Sequence, residues 1–177
     1  MLIETKRLLL RPFSEVHRAA FAAMNSDPAV MADLGGPFTA ERSNAKFERY
    51  VATFENSGSG RFAIESLKGQ FLGYAGLMPI LGDHPLGAHV EIGWRLIREA
   101  WGQGYATEAA SAALCDGFDR VRLPKIFSYT APDNLRSQAV MERLKLKRDE
   151  GLDFVADYDG HQWHGLVWVA LPNRNGS

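Results

Sequence analysis

The chain has 177 residues, of which 46% are hydrophobic and 23% charged, and its formal net charge is −1. That size allows a substantial buried core, and the near-neutral balance argues against broad binding to nucleic acid or to an anionic membrane. A single cysteine, Cys115, rules out an intrachain disulfide, and no apolar run approaches the roughly 18 residues of a membrane span.

Glu4, Lys6 and Arg7 stand where a signal peptide would need an apolar stretch, so a cytoplasmic protein is expected. Residues 6–13 read as a strand ending at Pro12. Residues 14–27 read as a helix capped by Ser14, with Val16, Ala20, Phe21 and Met24 on one stripe. Asp27 and Pro28 open another helix, and Gly35-Gly36-Pro37 break the chain. Thr39 caps a long helix in which Phe47, Tyr50, Val51 and Phe54 form an apolar face.

The period then changes from helical to alternating. Residues 61–67 and 71–80 form two strands joined by a hairpin at Lys68-Gly69. Residues 88–97 form a third, with Val90, Ile92, Trp94 and Leu96 on one face and His89, Glu91, Gly93 and Arg95 on the other. An alanine-rich helix is expected from about Gly104 to Val121, with Cys115 in its core-facing part. A strand over 125–131, a helix over 134–147 and a closing hairpin around Asp159-Gly160 complete the pattern. The order predicts an α/β (α+β) single domain over residues 1–172, with a disordered tail at 173–177.

The segment "AWGQGYATEA" joins a strand to a helix and strips side chains from the join. The first turn of a helix leaves backbone N–H groups unpaired and carries partial positive charge. Gly102 and Gly104 would let a phosphate approach those groups. A dinucleotide fingerprint would need glycine where Thr107 stands, and the Gly-Lys-Ser/Thr signature of a nucleotide-triphosphate loop is missing.

Residues 91–109 ("EIGWRLIREAWGQGYATEA") followed by residues 134–144 ("NLRSQAVMERL") resemble the GCN5-related N-acetyltransferases (GNAT). More narrowly, they resemble the RimJ/RimL-type branch that acetylates ribosomal-protein N-termini, and "ETKRLLLRPF" resembles that branch's opening strand. The resemblance implies a central mixed, mostly antiparallel sheet, splayed where acetyl-CoA binds. It implies that the amides of Gly102, Gln103, Gly104, Tyr105, Ala106 and Thr107 hold the pyrophosphate, with Trp101 in place of the usual Gln or Arg. Main-chain groups of Ile92, Gly93, Trp94 and Leu96 would receive the pantetheine arm. Asn134 would contact that arm, and Ser137 would sit near the thioester sulfur. Met141 stands where many relatives have a tyrosine acid, and Lys145-Leu146 replace the usual Gly-Phe.

The implied reaction is attack by an amine on a thioester carbonyl. It needs a neutral amine, donors for the oxyanion and a proton for the departing thiolate. Ser137 is the candidate proton donor and Glu91 the candidate base, with His89 a weaker one. The basic run from Arg143 to Arg148 could meet the 3′-phosphate, Arg143 in particular. The acids of residues 149–159 would favour a cationic acceptor if they lined its cleft. His161 and His164 point to opposite faces of a strand, and no metal site is expected. The expected partners are acetyl-CoA and an amine, with a protein or peptide N-terminal α-amine leading. A small-molecule amine acetyltransferase and a non-catalytic acyl-CoA-binding module are the alternatives. Either a monomer or a homodimer is compatible with the sequence.

Overall fold

In the computed structural model, which describes residues 1–158 and 160–172, one sheet of nine strands carries helices on both faces. The chain opens with β1 (Ile3–Glu4) and β2 (Leu8–Pro12), then a 3₁₀ turn at Glu15–His17. Helices α1 (Arg18–Ser26), α2 (Pro28–Met31) and α3 (Ala40–Ser57) follow. Strands β3 (Arg61–Ser66), β4 (Phe71–Ile80) and β5 (His89–Leu96) lead to α4 (Tyr105–Asp119). The remainder is β6 (Ile126–Thr130), α5 (Leu135–Arg143), β7 (Lys147–Arg148), β8 (Phe154–Tyr158) and β9 (His161–Ala170). The tail 173–177, expected to be disordered, and Asp159 of the expected hairpin turn lie outside the described residues.

The main path of the sheet runs β1-β2-β3-β4-β5-β6-β9-β7, with β8 on β9, and every pairing except β5 with β6 is antiparallel. Strand alternation sorts the core onto two faces. Tyr74 and Met78 of β4 face α1 and α3, where Phe13, Phe21, Phe47 and Tyr50 make edge-on aromatic contacts. Leu77 and Ile92 face Ala110 and Ala113 of α4, together with Ile126 and Met141. Fully buried rings such as Phe21 and Phe47 each contribute about 1.5–3 kcal/mol through removal of apolar surface from water.

Local signals hold at several ends. Asp27 accepts from the Ala29 amide at 2.9 Å, and Thr39 from the Arg42 amide at 3.2 Å, so both cap their helices. Three expectations change. Val16 lies in the 3₁₀ turn and is exposed, leaving Phe21 and Met24 to face the core. Cys115 is exposed, because α4 turns Ala109, Ala110, Ala113, Leu114 and Gly117 inward. Helix α5 ends at Arg143, and Lys145 takes a left-handed φ of 57° that usually falls to glycine. The Leu146 amide then donates back to the Met141 carbonyl at 3.0 Å, so the reversal closes without glycine.

Candidate active site

Strands β5 and β6 touch at one register pair, Glu91 with Phe127, whereas β5 and β4 share eight. The two parallel strands therefore diverge past Glu91. The Ser128 hydroxyl donates to the Ile92 carbonyl at 3.1 Å and holds the apex of the V. The chain after β5 leads through a 3₁₀ turn at Arg98–Ala100 into the Gly102–Gly104 loop and the first turn of α4.

Gly102 and Gly104 have φ of 73° and 78°. A Cβ on Gly102 would meet nothing within 4 Å, so the loop surface is open. Gly104 is the N-cap residue of α4 and offers no side chain to the first-turn amides, which point out of the helix end. The Thr107 hydroxyl is buried without a partner among the described residues. Two cations flank this cradle. Arg7 donates to the Gln103 carbonyl at 2.9 Å, pairs with Glu108 at 2.7 Å and lies over Tyr105. Arg136 stacks 3.8 Å from the centroid of Trp101, whose indole N–H donates to the Leu96 carbonyl. The tryptophan thus brings a guanidinium to the loop although it is itself uncharged. Open backbone donors with flanking positive charge fit a pyrophosphate.

On the other face of β5 lies a cleft of about 1180 Å³. Its floor is built by strand register. Arg61 of β3 pairs with Gly76 of β4, and Gly76 pairs with Gly93 of β5. A Cβ on Gly93 would come within 2.8 Å of the Arg61 guanidinium, so the glycine clears a trough for that side chain. Through it Arg61 reaches the Gly76 carbonyl, the Gly93 carbonyl at 3.1 Å and the Glu91 carboxylate. Arg95 is held by Asp33 in a two-pronged pair at 2.8 and 3.0 Å, and Asp33 also accepts from Asn134 at 3.3 Å.

Tyr74 stands opposite Arg95 in the ladder and accepts a hydrogen bond from Lys46 at 3.3 Å. Burial opposes ionisation of its hydroxyl, but the positive charges of Lys46, Arg95 and Arg61 outweigh burial and bring it down to about 7. Burial pushes neighbouring Tyr50 well above the phenol range, and the negative charge on Tyr74 adds to this. The two tyrosines are therefore poised oppositely, with Tyr74 the one that ionises more readily.

The cleft gathers Glu91, Ile92, Gly93, Trp94, Asn134 and Ser137. Asn134 caps α5 by accepting from the Ser137 amide at 3.2 Å, which fixes both at the mouth of the V. Met141, about one turn beyond Ser137, also borders the cleft and is buried in the cluster that holds Leu77 and Ile92. Leu96 is buried beneath the loop with Ala100 and Ala109. Arg143 is exposed at the end of α5 and does not line the cleft. His89 donates through Nδ1 to the Gly87 carbonyl at 2.8 Å and packs on His84 and Phe127, away from the cleft. Of the acids in residues 149–158, only Asp157 reaches the cleft; Asp153 is spent on Arg148. Among the described residues this segment therefore gives the cleft one carboxylate. Tyr74, Lys46, Arg61 and Asp33 escaped the sequence reading. Lys46 alone had a prior signal, its spacing from Arg42 and Arg49 along α3.

A splayed sheet whose opening leads to an open, cation-flanked helix N-terminus fits a coenzyme A-dependent acyl-transfer enzyme. A family model of the acetyltransferase (GNAT) domain matches residues 7–147. Over 174 residues the chain is 31% identical to the uncharacterised N-acetyltransferase YnaD of Bacillus subtilis (strain 168), covering 97% of this chain and 96% of that one. An acetyltransferase from Agrobacterium tumefaciens str. C58 superposes with a TM-score of 0.81 at 28% identity, covering 96% and 94% of the two chains. A spermidine N-acetyltransferase from Vibrio cholerae, solved with CoA and spermine, gives a TM-score of 0.74 at 18% identity, covering 94% and 96%. This chain belongs to the GNAT acetyltransferase family, and it is an acetyl-CoA-dependent acyltransferase.

Proposed function

We propose that this protein acetylates a primary α-amine, with Tyr74 accepting the proton of the incoming ammonium and Ser137 returning one to the departing thiolate. Acetyl-CoA supplies the activated acyl carbon and a thiolate leaving group. Its pyrophosphate would rest on the amides of residues 102–107, between Arg7 and Arg136, and its pantetheine arm in the opening beside Ile92, Gly93 and Trp94. Backbone N–H groups of β5 that β6 leaves unpaired are suited to the oxyanion.

One observation carries the reading: the Tyr74 hydroxyl lies in the cleft beside the opening of the sheet, bonded to Lys46 and opposite Arg95, and these charges bring it down to about 7. An α-ammonium has a pKa of about 7.7–8.0, within about one unit of Tyr74, so proton transfer costs about 1.4 kcal/mol. A lysine ε-ammonium near 10.4 would cost more than about 4 kcal/mol. Glu91, the base considered from the sequence, has its Oε1 engaged by buried Arg61, which suits a role in holding the floor. The RimL-like preference for protein N-termini is the narrower form of this proposal.

Thiol release from acetyl-CoA tests it, using peptides with free α-amines and the same peptides blocked at the N-terminus but with free lysines. Turnover confined to the free α-amines supports the proposal. Equal turnover of blocked, lysine-bearing peptides overturns it.

A further inference from the structure

Across the cleft from β5, one face of α3 presents Arg42, Lys46 and Arg49 at positions i, i+4 and i+7. With Arg61 and Arg95, five cationic side chains line the cleft against three carboxylates, Asp33, Glu91 and Asp157. The cations differ in how they are engaged. Arg61 and Arg95 are each committed to one acid of the floor, Glu91 and Asp33. Arg42 and Arg49 have no carboxylate partner among the described residues; they lie over the rings of Phe38 and Tyr50, at 4.0 and 5.9 Å. Lys46 bonds to Tyr74. Asp157, itself accepting from the Gly160 amide, is the one cleft acid outside the two floor pairs. The unspent charge is therefore positive and concentrated on α3. The cradle for the cofactor's pyrophosphate is a separate place, with Arg7 and Arg136 of its own.

A cleft with low-dielectric walls focuses such a field, and guanidinium forks match carboxylates. We infer that the acceptor is an amine carrying a carboxylate, which Arg42 and Arg49 bind while Lys46 and Tyr74 face its amino group. The inference rests on the acetyl-transfer reading and names the substrate class for that same site. A polyamine is the acceptor this charge pattern repels. A free amino acid and a peptide with an acidic first residue share the required chemistry.

The test follows thiol release from acetyl-CoA with free aspartate and glutamate, their fully amidated forms, tripeptides beginning with an acidic residue, their neutral counterparts, and spermidine. Wild type is compared with an Arg42→Gln, Arg49→Gln double variant; both positions are exposed, so the fold is retained. The expected result is a KM at least about tenfold lower for the carboxylate-bearing amine than for its amide, scaling with one charge-assisted contact. The double variant should erase that preference and leave the acetyl-CoA Kd, measured by calorimetry, unchanged. Preference for the free amino acids or for the acidic peptides identifies the source. Equal or better use of amides or spermidine overturns the inference while leaving acetyl transfer intact. A loss of acetyl-CoA affinity in the double variant overturns it too, assigning these arginines to the cofactor's phosphates. No thiol release with any amine overturns the acetyl-transfer reading to α-amines and the inference with it.

Discussion

Tyr74→Phe separates a proton acceptor from a packing residue. The ring contacts with Tyr50 at 5.3 Å and Phe21 at 6.1 Å remain, and only the hydroxyl that accepts from Lys46 is lost. With its hydroxyl near 7, Tyr74 is about half ionised at pH 7 and about one-tenth ionised at pH 6. A variant without the base relies on amine already neutral in solution, about 9–17% of an α-amine at pH 7 and about 1–2% at pH 6. The kcat/KM of the variant should therefore fall about three- to fivefold below wild type at pH 7 and about five- to ninefold at pH 6. Above about pH 9 the two should converge, since amine and phenol are both deprotonated. The wild-type profile should rise through about 7, and that of the variant through the pKa of the amine. The assay is initial-rate thiol release between pH 5.5 and 9.5 at saturating acetyl-CoA. A deficit of the same size at every pH would refute the reasoning and reduce Tyr74 to a structural role.

Gly104→Glu places an acid at φ 78° in the phosphate cradle, adding backbone strain of about 1–2 kcal/mol and repelling the pyrophosphate; calorimetry should find acetyl-CoA binding lost. Ser137→Ala should lower kcat by about 10²-fold or more with the acetyl-CoA Kd within a factor of about two, and equal rates would remove Ser137 from proton delivery. Glu91→Gln leaves buried Arg61 without its carboxylate and should cost about 3–5 kcal/mol in denaturant unfolding, while the pH limb near 7 persists. Met141→Tyr puts a phenol at a buried position clustered with Leu77 and Ile92; overpacking by about 1–3 kcal/mol should lower Tm without raising kcat.

The glycine loop, the cap of α5 and the facing of β5 were legible because their signals are local. Gly102 and Gly104 are needed by backbone conformation, Asn134 caps the helix it opens, and strand alternation put Glu91, Gly93 and Arg95 on one face. Each follows from neighbours a few residues apart. The acid-rich segment left two readings open for the opposite reason: a run of like charges in sequence says nothing about which side chains a hairpin turns inward, and in the fold Asp157 borders the cleft while Asp153 pairs with Arg148.

By itself, the sequence determined the alternation of elements, the caps, the glycine loop and the family, because these depend on short-range periodicity and backbone sterics. Tertiary structure alone decided the chemistry of the cleft. Tyr74 is an ordinary strand tyrosine until pairing sets it opposite Arg95 and packing lays Lys46 of α3 beside it. Arg61 reaches Glu91 only because Gly76 and Gly93 fall in register across three strands. Electrostatic environment depends on distances between residues far apart in the chain, and strand register and helix packing set those distances.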